Sequence, residues 1–202
     1  MLNTKEFLKS LTSQLSQIEL TFAAEIANAN EDSLNAIPNY GGWSILQVLD
    51  HLNFYNRWYL PKIEAAIKKS LMQKKSIPEF YKSGWLGAYF IKMMQPKLNG
   101  SLASKMEAPK NAIPATILNA ELVLNEFSAH LVHLNRLLDL AINADINNTR
   151  VVTSLSSWIS LKTGDSMAFL LAHMERHFLQ IMRIKKSIPH KYVMSELETQ
   201  SF

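Results

Sequence analysis

The feature that most restricts the fold is an apolar seam. Ala120, Leu124, Phe127, Leu131, Leu134, Leu138 and Ala141 follow one another at alternating steps of four and three residues. An α-helix returns to one face at that interval, and a stripe kept in line for about six turns suits near-parallel packing against other helices. A second stripe, Phe7, Leu11, Leu15, Ile18, Phe22 and Ile26, predicts a helix from near Thr4 to near Asn28. Pro38, Gly41 and Gly42 then break the chain.

The next helix announces its start. Ser44 and Gln47 have the spacing of a capping box, and Trp43 before the cap is placed to pack on Val48 as a hydrophobic staple. The stripe continues through Leu52, Tyr55, Tyr59 and Ile63 to about Ser70, with Pro61 set to kink it by removing one ladder bond. A last helix begins near Thr163, Gly164 and Asp165, with Thr163 or Asp165 as cap. It runs through Met167, Leu171, Met174, Phe178 and Ile181 to about Lys186, and Pro189 lies just beyond.

Residues 71–114 interrupt this pattern with Pro78, Gly84, Gly87, Pro96, Gly100, Pro109 and Pro114. So long a connection needs a reason. Its apolar middle, Trp85 to Met94, is expected to form a short helix packed on the bundle; as a membrane-surface helix it would draw charge only from Lys82, Lys92 and Lys97. Residues 149–153 read as extended, with too little partner sequence for a sheet. The expected organisation is one domain over 1–190, containing the 71–114 insertion, and a tail over 191–202.

Composition removes several functions. A chain of 202 residues makes one sizeable core more natural than two domains, and no cysteine means no disulfide, thiolate nucleophile or thiolate ligand. The 21 Lys and Arg exceed the 17 Asp and Glu by only four and are spread along the chain, so no nucleic-acid partner is expected. The N-terminal segment lacks the apolar run of a secretory signal, and no stretch approaches the roughly 18–20 apolar residues of a membrane span. The expectation is a cytoplasmic protein without a membrane partner. No G-x-S-x-G, P-loop or G-x-G-x-x-G pattern occurs.

Histidines carry the chemistry that remains. His173 and His177 stand four residues apart on the last helix, about 40° around its axis and roughly 6 Å along it, so both imidazoles can reach one ion. His51, on the edge of the second stripe, could complete a three-nitrogen face that leaves a metal open to water or substrate. The competing reading is three hydrogen-bonded histidines at boundary positions. The turn is not the zinc-protease H-E-x-x-H, because Glu175 follows His173 by two residues and points about 200° away. His130 falls at a boundary of the third helix, His133 nearer solvent, and His190 in the tail.

From Gly42 to Leu52 (G-W-S-I-L-Q-V-L-D-H-L), and again from Ala172 to Ile181 (A-H-M-E-R-H-F-L-Q-I), the chain resembles the DinB/YfiT-like superfamily. The resemblance implies an all-α, up-up-down-down four-helix bundle with a long crossover between the second and third helices, often as a homodimer. It implies a divalent metal, zinc or nickel, held by His51, His173 and His177. Gln180 matches the glutamine that orients a ligand or holds water beside the site. The activities it implies are metal-dependent hydrolysis or thiol-dependent transfer, in which the ion activates water or a low-molecular-weight thiol cosubstrate for attack on a small molecule; no catalytic base can be assigned. The alternative is a non-catalytic, stress-related binding bundle with a structural metal or none, because a fold does not dictate chemistry.

Overall fold

A computed structural model describes residues 2–74, 76–96 and 107–188. In chain order the elements are β1 (Leu2–Asn3), α1 (Thr4–Glu25), α2 (Glu31–Asn35), α3 (Ile45–Met72), β2 (Phe80–Tyr81), α4 (Trp85–Met94), a 3₁₀ turn (Lys110–Ala112), α5 (Ala120–Ala141), β3 (Arg150–Val152), β4 (Ser160–Lys162) and α6 (Thr163–Ser187). The architecture is mainly helical. The seam read from the sequence is the packed side of α5, where Phe127, Leu131, Leu134, Leu138 and Ala141 are buried in the core. The expected tail lies outside the described residues.

Side-chain contacts give the helix directions. Between α3 and α5, Asn53 Nδ2 donates to the Val123 carbonyl at 3.0 Å, Arg57 Nε to Glu126 at 2.7 Å, and His133 Nε2 to Glu64 at 3.0 Å. Both numbers rise together, so these helices are parallel. Between α3 and α6 the order reverses: the ring of His51 meets His177, Tyr55 meets His173 and Tyr59 meets Phe169. Helix α1 runs with α6, since Phe7 stacks on Tyr81, which bonds Asp165 at the start of α6, while Lys185 near its end bonds Glu25.

The resulting sense is up-down-down-up, which corrects the up-up-down-down order expected from the resemblance. The correction also explains the long connection. Two parallel neighbours can be joined only by returning along the length of a helix, and the 28 residues of α3 extend about 42 Å. Residues 73–119 make that return.

Local rules account for most boundaries. Ser44 and Gln47 form the expected capping box at the start of α3. Helix α3 continues through Pro61, whose position is exposed, so water can satisfy the carbonyl that loses its ladder partner. Helix α4 forms where the apolar insert predicted it. Residues 150–152, expected to lack a partner, pair antiparallel with β4, Arg150 opposite Lys162 and Val152 opposite Ser160. Among the described residues, no helix is long and apolar enough to cross a membrane.

Asp165 has a different role from the expected helix cap. Buried in the first turn of α6, its carboxylate accepts from Tyr81 Oη at 2.7 Å, Ser83 Oγ at 2.5 Å and the Gly84 amide at 2.9 Å. Burial first, then the adjacent carboxylate, pushes the Tyr81 hydroxyl far above its ordinary pKa and keeps it a donor. Three donors from the crossover are thereby fastened to the start of α6, and α4 packs over the same point. A Cβ on Gly87 would collide with the Asp165 carboxylate, so only glycine allows this approach. Gly87→Ala should therefore destabilise the protein by about 1–3 kcal/mol, the usual cost of overpacking; an unchanged urea unfolding midpoint would show that α4 is not seated there.

Candidate metal centre

The three histidines singled out by spacing are brought together. His51 sits two turns inside α3, His173 and His177 on the facing side of α6, and their nearest ring nitrogens all lie within 4.8 Å of one another. All three are buried. The approach to His51 is shaped by Gly41 and Gly42, whose φ angles of 76° and 101° are left-handed conformations that cost other residues energy. That turn places Trp43 with its ring 4.9 Å from the imidazole of His51.

Hydrogen bonds orient the rings. His51 Nδ1 lies 2.7 Å from the carbonyl of Ala112, which only accepts, so the proton is on Nδ1 and Nε2 presents a lone pair. His177 Nδ1 likewise faces Gln180 Oε1 at 2.9 Å, leaving its Nε2 bare. Both lone pairs point toward His173 Nε2, at 3.4 Å from His51 and 3.0 Å from His177. A neutral His173 has one proton to give and two acceptors waiting, and its buried Nδ1 has no hydrogen-bond partner among the described residues.

This arrangement fits a cation better than an internal hydrogen-bond network. Nitrogens bound to one tetrahedral zinc at 2.0–2.1 Å stand about 3.3 Å apart, close to the two spacings seen. Backbone or side-chain acceptors on the far nitrogen are the usual support for a metal-binding imidazole. Protonation would defeat the site, and the surroundings oppose it. Burial pulls His51 below its ordinary pKa against the opposing Ala112 bond, and pulls His177 down to about 3. His173 is held well below its usual value by burial and then by His177, His51 and Arg176. Metal binding needs neutral imidazoles, so no proton has to be displaced at neutral pH.

Aromatic rings pack against the triad. Phe169 stacks parallel to His173 at 5.9 Å, and Tyr55 meets the same ring edge-on at 4.5 Å. Burial, then Tyr59, pushes the Tyr55 hydroxyl up to about 12, so it remains a neutral phenol. The triad borders a cavity of about 880 Å³, walled by Tyr40, Trp43, Tyr55, Arg176, Gln180 and Arg183 among others. Three ligands and an open cavity suit a metal with an exchangeable position.

The other histidines stand apart. His130 Nδ1 bonds Asn53 Oδ1 at 3.0 Å as a boundary residue, while His133, expected nearer solvent, is half-buried against Glu64. His190 lies outside the described residues. Glu175 is not a wall of the cavity, in keeping with the angle read from the sequence. Sequence reasoning missed Arg176 and Arg183, although Arg176, Gln180 and Arg183 share a helix face at steps of four and three. It also missed the Ala112 carbonyl, for which no side-chain signal exists.

A family model described as the DinB superfamily matches residues 14–181, a span that includes all three histidines and Gln180. No curated protein and no solved structure matches the chain. Because Gln180 is the acceptor that turns Nε2 of His177 toward its neighbours, Gln180→Leu should weaken metal binding about 10–100-fold without unfolding the chain. Competition against a chromophoric chelator measures this; wild-type affinity in the variant would remove Gln180 from the site.

Proposed function

This chain belongs to the DinB superfamily, and from that premise we propose that it is a divalent-metal-dependent enzyme acting on a small molecule, with His51, His173 and His177 as the ligands. The observation that carries the reading is the meeting of three neutral, buried imidazoles, two of them with lone pairs held inward, at the edge of an 880 Å³ cavity. Nitrogen donors suit zinc or nickel, and the chain has no sulfur ligand from cysteine to offer. When bound, the ion would lower the pKa of water or of a low-molecular-weight thiol and polarise the electrophile it attacks.

The residues supply the surroundings for hydrolysis or thiol transfer. Ala112 and Gln180 hold the protons on the outward nitrogens of His51 and His177, fixing both tautomers. Phe169 and Tyr55 pack against the ring of His173, and Trp43 against that of His51, which limits how far these imidazoles can turn. The reading includes the homodimer implied by family resemblance, for which α4 offers the outward Trp85 and Tyr89. A non-catalytic bundle with a structural metal accounts less well for the cavity, since structural sites are usually closed by a fourth protein ligand.

Metal content tests the proposal. The purified wild-type chain should carry or take up about one zinc or nickel ion, and His51→Ala and His177→Ala should each lose most of it. A wild type that binds neither ion, or two variants that bind as well as wild type, would overturn the triad. Activity screens should then find hydrolysis or thiol conjugation that disappears in the same variants.

A further inference from the structure

Two large apolar side chains stand exposed at the cavity that the histidines border. Tyr40 is 66% exposed and Ile113 57% exposed, and both line that cavity. Single exposed apolar residues are ordinary on a protein surface, but each of these lies one short step along the chain from a group that touches His51. Tyr40 leads through Gly41 and Gly42 to Trp43, whose ring is 4.9 Å from the His51 imidazole. Ile113 follows Ala112, whose carbonyl lies 2.7 Å from His51 Nδ1. Gln47 Nε2 donates to the Ala115 carbonyl at 3.2 Å, which ties the same stretch to the first turn of α3. Trp43 and Met94 are only half-buried and line the cavity as well. Arg176 and Arg183 border it too, but both are engaged in interactions of their own, so most of what the wall offers a ligand is apolar surface.

We infer that the electrophile carries a planar apolar body, an aryl group or a comparable unsaturated ring system, and that Tyr40, Trp43 and Ile113 grip this body while its reactive end meets the histidines. Covering apolar surface is favourable in proportion to the area removed from water, so side chains left bare beside a reacting centre are a source of binding energy. Aromatic walls favour planar partners, which they meet by offset stacking or edge to face. A polyol of the same size would give up its own hydrogen bonds to water against such a wall and recover few of them. An apolar lining with a few placed polar groups is also the usual construction of a small-molecule site. This assignment rests on the proposed metal function, because the histidines define which end of the molecule reacts.

The test uses the full chain loaded with zinc and two hydroxamates with the same metal-binding end and equal numbers of heavy atoms: 2-naphthohydroxamic acid, with a planar apolar body, and gluconohydroxamic acid, with a polyol body. Calorimetric titration should show the naphthyl probe binding about tenfold or more tightly. Tyr40 and Ile113 are exposed, so Tyr40→Ser and Ile113→Ser should fold normally and hold their zinc. Each should weaken the naphthyl probe about three- to tenfold, the worth of one apolar or aromatic contact, and leave the gluconyl probe unchanged. Equal binding of the two probes to wild type, or a full preference kept by the Tyr40→Ser/Ile113→Ser double variant, overturns the inference. The amides 2-naphthamide and gluconamide, which lack the chelating hydroxyl, separate the two claims when titrated into chelator-treated chain. A naphthyl preference in a protein unable to take up zinc or nickel overturns only the metal reading, and a zinc-binding protein without the preference overturns only the apolar grip.

Discussion

The parallel alignment of α3 and α5 is the constraint from which the site follows. Parallel neighbours demand a return path as long as the helix itself, and here that path is a segment rich in proline and glycine, too long to remain idle. It brings the 3₁₀ turn at Lys110–Ala112 over the start of α3, where the Ala112 carbonyl fixes the tautomer of His51. It also contributes Met94, Glu107, Pro109 and Ile113 to the cavity. A bundle of alternating antiparallel neighbours could have short loops, but it would have no crossover to cover the histidines.

Burying three imidazoles has a cost that the fold offsets only in part. Each neutral ring loses water, and two recover a hydrogen bond on Nδ1 while His173 recovers none there from the described residues. The remaining frustration is concentrated at the centre, where lone pairs face one another at hydrogen-bond distance with too few protons between them. Such a centre is unfavourable by itself and suits a cation, which would gain from all three lone pairs at once. The lowered pKa values of the rings have the same physical origin, since a proton would bring an isolated charge into a desolvated pocket.

Much of this was legible in the sequence, for reasons that can be named. Apolar stripes gave α1, α3, α5 and α6 because only a helix returns a side chain to the same face every 3.6 residues, and Ser44 with Gln47 marked a start to within a residue. His173 and His177 were visible as a pair because helical spacing fixes their separation. Helix direction was not visible, because an amphipathic stripe is the same in either sense and only inter-helix contacts distinguish them. Asp165 looked like a cap because local sequence favours that role; its three donors come from about 80 residues away, beyond the reach of any local rule. The Ala112 carbonyl was unreadable for a stronger reason, since every residue has one.

Helix α6 is where these separate requirements meet. At its first turn Asp165 fastens the crossover, one turn later Phe169 supports the ring of His173, then come His173 and His177, and past them Gln180 and Arg183 border the cavity. A rigid helix keeps these groups in fixed order at 1.5 Å per residue, so fastening the crossover at one end also sets the distance of the cavity wall from the histidines. The close approach at Gly87 therefore bears on more than stability. If α4 lifted from the start of α6, Met94 at its far end would move with it, and the cavity would widen beside the three histidines. Packing at a point remote from the imidazoles thus sets the width of the cavity beside them.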